Sequence, residues 1–183
     1  MTISIEMPIA VGVLDRARSG DVAAFAQLIR LHERRVLGVA FRLTGNLADA
    51  QDAAQEVFMR LHRNLASIPG SDSVAPWLYR VTVNACFDMR RRSKSSAAIA
   101  IPASLAAREP SAEALAVRQQ DHVRLNAALG ELGERERAAL ILRDLEGLTT
   151  AEVAVALGSS ESTVRVQIAR ARLKLRELLK DLR

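Results

Sequence analysis

Apolar residues recur along most of this chain at every third or fourth position, and alternating β-branched runs are scarce, which is the spacing of amphipathic helices. From Asp21, which follows Gly20 and suits an N-cap, the stretch DVAAFAQLIRLHERRVLGVAFRLTG puts Phe25, Leu28, Ile29, Val36, Leu37, Ala40, Phe41 and Leu43 at helical spacing and ends at Gly45. Asn46 is placed to cap a second helix, LADAQDAAQEVFMRLHRNLA, whose apolar side is Leu47, Ala50, Ala54, Val57, Phe58 and Leu61. The segment SIPGSDSVAP reads as a loop, with Pro69, Gly70 and Pro76 as breakers. A third helix, WLYRVTVNACFDMRRR, follows Pro76, a residue suited to a first helical turn. Residues 1–14 have little periodicity and predict a loose tail.

The pattern lapses from Ser93 to Ser111, an Ala/Ser-rich stretch twice interrupted by proline that predicts a flexible linker. Beyond Pro110 no proline remains, and four helical segments are predicted. They run from about Ala112 to Leu129, Glu134 to Glu146, Thr150 to Leu157 and Glu161 to Leu182, divided by Gly130/Gly133, Gly147 and Gly158. The expected fold is all-α, with two small helical domains, 15–92 and 112–183, joined by the 93–111 linker.

Composition supports this and narrows the chemistry. An apolar content of 49% over 183 residues excludes a disordered chain. A single cysteine, Cys86, excludes an internal disulfide. The longest uncharged stretch, Ser95 to Ala107, is too short to span a bilayer and contains Pro102. With Glu6 and no basic residue before Arg16, the N-terminus lacks a signal-peptide pattern, so a cytoplasmic protein with no membrane partner is expected. The net charge is +5, and the segment from Thr163 to Arg183 alone carries seven basic and two acidic residues, so the excess sits in the last helix.

That helix closes the most specific local pattern, LTTAEVAVALGSSESTVRVQIARARLKLREL. Thr149 and Glu152 form a capping box, Val153 and Leu157 supply an apolar side, Ala154 is small where helices would cross, and Gly158 falls in a turn. Ser160 caps the next helix, with Val164, Ile168, Ala171, Leu175 and Leu178 facing inward. This is helix-turn-helix spacing. It leaves Ser162, Arg165, Val166, Ala169 and Arg170 on the other side, with Arg172, Lys174 and Arg176 further on. In such motifs the start of the second helix reaches base edges and flanking basic groups hold phosphates. A basic helix by charge alone is equally a solvated face; the capping and glycine spacing favour DNA.

Two patterns stand out in the first half. Asp49, Asp52, Gln55 and Glu56 share a polar stripe of one helix, which suits solvent or docking to an arginine-rich partner better than metal, because the three histidines show no ligand spacing. Trp77 and Tyr79 lie beside Arg80, Asn84 and Arg90, Arg91 and Arg92. Aromatics with arginines suit single-stranded nucleic acid, whereas the same aromatics equally fill a bundle core. All six aromatic residues lie between 25 and 87. No catalytic, cofactor-binding or metal-ligating constellation is present in the sequence pattern: there is no Walker loop, dinucleotide glycine fingerprint or histidine-centred cluster.

Together, in this order, the motifs resemble bacterial alternative sigma factors of the extracytoplasmic-function group, over about Gly20 to Leu179. DAQDAAQEVF looks like the region 2 segment that docks on the β′ clamp helices of RNA polymerase, WLYRVTVNACFDMRRR like the part that handles the −10 element, and the helix-turn-helix with its preceding helix like region 4. The resemblance implies core-polymerase contacts through Asp49, Asp52, Gln55, Glu56 and Phe58. It implies −10 strand capture through Trp77, Tyr79, Arg80, Asn84, Arg90 and Arg91 with the loop from Ser67 to Val74. Contacts to the −35 major groove would come from Ser162, Thr163, Arg165, Val166, Ala169, Arg170 and Arg172. The implied partners are core polymerase, including its β flap, duplex and single-stranded promoter DNA, and an anti-sigma protein between the domains. Against the family pattern, Val74 stands near a usual aromatic, His62 where tryptophan is frequent and Ser159 where an aliphatic residue is usual. The alternative reading is a helix-turn-helix regulator acting on duplex DNA without polymerase.

Overall fold

In the computed structural model, residues 7–95 and 124–180 are described, and they build two helical bundles that share a continuous core. The first bundle contains α1 (Met7–Arg18), α2 (Val22–Thr44), α3 (Leu47–Asn64) and α4 (Val74–Ser95). The second contains α5 (124–130), α6 (Glu134–Leu140), α7 (Thr150–Leu157) and α8 (Glu161–Lys180). No strand occurs among the described residues.

Helix boundaries follow the capping chemistry of the sequence. Asp21 Oδ1 accepts the Ala24 N–H at 3.0 Å to start α2, and Gly45, at φ +74°, ends it with its N–H on the Phe41 carbonyl at 2.8 Å. Asn46 Oδ1 then accepts from Ala48 at 2.8 Å and opens α3 immediately. The tight α2–α3 corner lays the two helices side by side, burying Leu28, Val36, Val39, Val57 and Leu61. Each such side chain contributes roughly 1.5–3 kcal/mol when fully removed from water. α4 crosses both and buries Leu78, Val83 and Cys86. The fully buried Thr82 hydroxyl of that helix donates to the Leu78 carbonyl at 2.8 Å and so is not left orphaned.

Four local expectations are corrected. The stretch expected as a loose tail at 1–14 contains most of α1; Val13, Leu14 and Ala17 are buried, and Arg18 donates to the carbonyls of Leu65 (3.1 Å) and Ile68. This helix closes at Gly20, φ +92°, with the Asp21 N–H on the Arg16 carbonyl at 3.0 Å, and its buried side chains tie it to the bundle. α4 begins at Val74 rather than after Pro76, because the loop ahead of it winds into two short 3₁₀ turns, Leu65–Ser67 and Ser71–Ser73. α4 also extends to Ser95, three residues into the expected linker's polar start. The predicted helix 134–146 is α-helical only to Leu140 and then widens into a π-turn, Ile141–Leu145, closed by Glu146 N–H on the Ile141 carbonyl at 3.0 Å. The rest of the linker, the segment 112–123 and residues 181–183 lie outside the described residues.

The two bundles touch along α4 and α2: α7 lies against α4, and α6 with its π-turn lies against α2. Arg137 of α6 is the plug of this seam. It is 4% exposed, donates from Nη1 to the Leu43 carbonyl of α2 at 2.9 Å, and from Nη2 to the Gly130 and Leu132 carbonyls. It therefore satisfies carbonyls at the end of α2 and at the α5–α6 corner at once. Burial, with Arg90 nearby, pulls its affinity for the proton below that of an ordinary arginine.

Candidate nucleic-acid interface

The second bundle holds the helix-turn-helix in the expected register. Thr149 Oγ1 accepts the Glu152 N–H at 3.2 Å while Glu152 Oε2 accepts the Thr149 N–H at 2.7 Å, a complete capping box. Gly158 takes φ +56° at the turn, a conformation that costs any L side chain, and the Ser159 N–H closes back on the Ala154 carbonyl at 2.9 Å. The α8 start is capped by Ser160, whose Oγ accepts the Thr163 N–H at 3.2 Å. Val164, Ile168 and Ala171 are buried against α6 and α7. With that side fixed, Ser162, Thr163, Arg165, Val166, Ala169 and Arg170 all stand on the solvent side.

This exposed face mixes donors and small apolar groups, as base-edge readout in a major groove requires. Val166 is 49% exposed on a folded helix, an apolar surface placed where a thymine methyl could meet it. Arg165 pairs with Glu161 at 2.6 Å, an exposed i, i+4 contact that a competing phosphate or base readily exchanges. Arg170 makes no ion pair among the described residues. Arg172 differs from its neighbours: Nε and Nη2 clamp Asp144 of the π-turn at 2.8 and 2.6 Å, and this pairing raises its proton affinity. Lys174 likewise pairs with Glu136 at 2.8 Å and, chiefly through that hydrogen bond, holds the Glu136 carboxyl below its ordinary range. These two cations fasten α8 to α6 and its π-turn.

On α4 the expected strand-binding residues split between two faces. At about 100° per residue, Trp77, Arg80, Asn84 and Arg91 fall within roughly 60° of one another. Arg80, Asn84 and Arg91 are exposed and Trp77 is half-buried against the core, so this stripe is available as an outward surface. Arg91 pairs with Asp88 one turn back. Tyr79 and Arg90 lie on the opposite face, which the second bundle covers. Tyr79 is 7% exposed and its hydroxyl donates to Glu146 Oε2 at 3.0 Å; Arg90 lies 3.5 Å from Glu134. In this arrangement Tyr79 and Arg90 are interdomain contacts, because the helical period sends positions two residues from Trp77 to its far side. Val74, ahead of them, is 1% exposed and packs into the core, while Asp72 in the same loop is exposed.

The α3 set splits as well. Asp49, Asp52 and Glu56 form one stripe, with Glu56 bonded to Arg60 at 2.7 Å and Asp52 and Glu56 edging a cleft shared with Met89 and Arg92 of α4. Gln55 and Phe58 form the next stripe with Met59 and His62, facing a shallow apolar groove completed by Phe25 and Ile29 of α2. The His62 ring stands edge-on to Phe25 at 5.0 Å and 77°. No group of three or more His, Cys, Asp or Glu that could hold a metal occurs among the described residues, and no described helix is long and apolar enough to cross a membrane.

Sequence reasoning missed Glu146, Arg42, Arg137 and Asp144. Only Arg137 left a trace there: it shares the side of α6 that carries Leu140 and Ile141, a charge on an apolar stripe.

Residues 28–96 match the Sigma-70 region 2 family and residues 122–175 the Sigma-70 region 4 family. The chain is 37% identical to the ECF RNA polymerase sigma factor SigM of Mycobacterium tuberculosis, over 88% of this chain and 80% of that one. It is 38% identical to SigE of Mycolicibacterium smegmatis over 88% of this chain, spanning 65% of that relative's length. Among solved structures, the sigma factor RpoE of Bartonella quintana in complex with the anti-sigma factor NepR is similar at TM-score 0.71 and 25% identity, over 87% of this chain and 98% of that one.

Proposed function

Because this chain belongs to the extracytoplasmic-function family of RNA polymerase sigma factors, we propose that it is an alternative sigma factor that carries core polymerase to promoters by dividing three tasks among three exposed faces. The outward stripes of α3, with Asp49, Asp52, Gln55, Glu56 and Phe58, dock on the polymerase β′ clamp helices. Face α8, through Ser162, Thr163, Arg165, Val166, Ala169 and Arg170, reads the −35 duplex, while the second bundle rests on the β flap. The outward side of α4, with Trp77, Arg80, Asn84 and Arg91 and the loop from Ser67 to Val74, traps the opened −10 strand. It acts in the cytoplasm and supplies no catalytic group; polymerase does the chemistry.

The observation that carries this reading is the difference in chemistry between two nucleic-acid faces on one chain. Face α8 has arginines, hydroxyls and aliphatics and no aromatic, which suits groove readout of a duplex. Face α4 offers an indole beside arginine and an amide, which suits unstacked bases. Extruding a base costs a few kcal/mol, and stacking contributes about 1–3 kcal/mol per base, so one good stacking contact offsets it. A regulator of duplex DNA needs only the first face.

In the closed arrangement Tyr79 and Arg90 are engaged by the second bundle and unavailable to a strand. The Bartonella relative of similar overall structure was solved with an anti-sigma factor. This likeness supports an anti-sigma partner for the present chain that holds the two bundles together.

The test is transcription from a promoter library with core polymerase, with start-site mapping. Initiation is expected only when the protein is added. Arg165→Ala with Arg170→Ala should weaken −35 discrimination by about 1–3 kcal/mol per lost base contact while polymerase binding persists. Arg172→Ala, which removes the clamp on Asp144, should leave base preference intact. Tight duplex binding with no affinity for core enzyme would instead establish the polymerase-independent regulator.

A further inference from the structure

Along α2 runs a row of arginines that none of the three faces uses. Arg30 and Arg34 are one turn apart, Gly38 continues the line, and Arg42 ends it; Arg35 stands alongside. They line a cleft of about 700 Å³ whose floor is Leu31, Leu37, Phe41 and Leu47. The only acidic side chain among its lining residues is Glu146, which arrives from the second bundle. Its carboxylate is 10% exposed, accepts from Arg42 Nη1 at 3.2 Å through Oε1, and from the Tyr79 hydroxyl at 3.0 Å through Oε2. Arg30 and Arg34 make no ion pair among the described residues.

Like charges at i, i+4 weaken a helix, and glycine within a helix weakens it further. Both features occur on this one line. A Cβ at Gly38 would stand 3.3 Å from Arg42 Nη1, so the glycine makes the trough in which the Arg42 guanidinium lies along the helix. The row steps by about 6 Å per turn, comparable to the stride of neighbouring phosphates in an extended strand. Half-buried Phe41 beneath it adds a flat surface to the guanidinium groups, the pairing that binds single strands without reading sequence.

We propose that the Arg30–Arg34–Arg42 trough of α2 is a phosphate track for single-stranded DNA, and that Glu146 occupies its end as an internal carboxylate surrogate for one phosphate while the two bundles are closed. The inference deepens the single-strand reading of the first bundle. Glu146 joins the end of the track to the Tyr79 hydroxyl, since one carboxylate accepts from both. Single-strand binding and separation of the bundles are thereby coupled: each strand phosphate that takes Arg42 displaces the second bundle, and closure expels the strand.

The test uses the full chain alone, without polymerase, and a fluorescein-labelled oligo-dT of about 12 nucleotides read by anisotropy across a salt series. Glu146→Gln keeps the size of the side chain and removes its charge, and should tighten binding at least fivefold. In that background Arg30→Ala with Arg34→Ala should weaken binding about tenfold and reduce the salt slope by about 1.4, two contacts at about 0.7 each. Unchanged affinity in Glu146→Gln, or an unchanged slope on removing the two arginines, overturns the proposal. So does loss of the signal only when Arg165 and Arg170 are replaced, which would put the strand on α8. Displacement by poly-glutamate as effective as by unlabelled oligonucleotide, charge for charge, would make the trough an acidic-peptide site and likewise overturns it. Failure of these arms with polymerase-dependent initiation intact would remove the track and leave the sigma reading standing.

Discussion

Replacing Arg137 with methionine tests how much of the closed arrangement depends on a single buried side chain. The substitution keeps most of the volume and removes the guanidinium that reaches Leu43, Gly130 and Leu132. The Leu43 and Gly130 bonds come from a charged donor and contribute about 1.5–3 kcal/mol each, whereas the 3.4 Å contact to Leu132 is too long to add much. Against that sum stands the cost of holding a cation at 4% exposure with Nε unpartnered, which methionine relieves. The balance is a loss of about 3 kcal/mol, since the carbonyls left behind stay buried without donors. For a chain of this size that corresponds to a fall of about 6–12 °C in melting temperature. Circular dichroism through a urea series and a thermal ramp measure it. Arg137→Lys should recover less than half, because one ammonium group cannot span carbonyls on both bundles. A methionine variant within about 0.5 kcal/mol of the parent would refute the account, making the arginine a tolerated charge rather than a tie.

Other outcomes follow from the same geometry. The Glu136 carboxyl is held below its ordinary value of 4.5, chiefly by the hydrogen bond from Lys174, so this pair's contribution is fully present above about pH 4.5 and is lost as the pH falls through the lowered value. Lys174→Met should therefore flatten the acid limb of a stability–pH curve and leave neutral-pH differences small; an unchanged acid limb counts against it. Burial, with Asp49 second, pushes the Cys86 thiol up to about 12, so iodoacetamide at pH 8 should label it only after urea unfolding, and rapid labelling of the folded protein would contradict the packing of α4. Gly158→Ala meets open space but a positive φ, and should cost about 1 kcal/mol in a denaturant titration while leaving the helix-turn-helix register intact.

Much of the local structure was legible because short-range chemistry specifies it. Asp21, Asn46, Thr149 with Glu152, and Gly45 and Gly158 start or end helices through bonds to backbone groups within a few residues, so their positions in the sequence are sufficient. The exposed face of α8 followed from the period of Val164, Ile168 and Ala171 alone. α1 was not legible, because its reason for being helical is the core it meets and the Arg18 bonds to a loop 47 and 50 residues away.

Amino-acid sequence by itself determined the helical class, the two bundles, the caps and the side of α8 left exposed, since each depends on periodicity or on neighbours within one turn. Tertiary structure alone decided which polar residues are free. Arg170 and Arg172 are indistinguishable in composition and two positions apart, yet among the described residues one makes no ion pair and the other is clamped to Asp144, which a π-turn 28 residues earlier presents. Tyr79 and Trp77 form one aromatic pair in the sequence, and only the packing of α7 on α4 assigns the first to Glu146 and leaves the second outward. The physical reason is the same in both cases: a side chain's availability depends on partners distant along the chain, and no local pattern carries their positions.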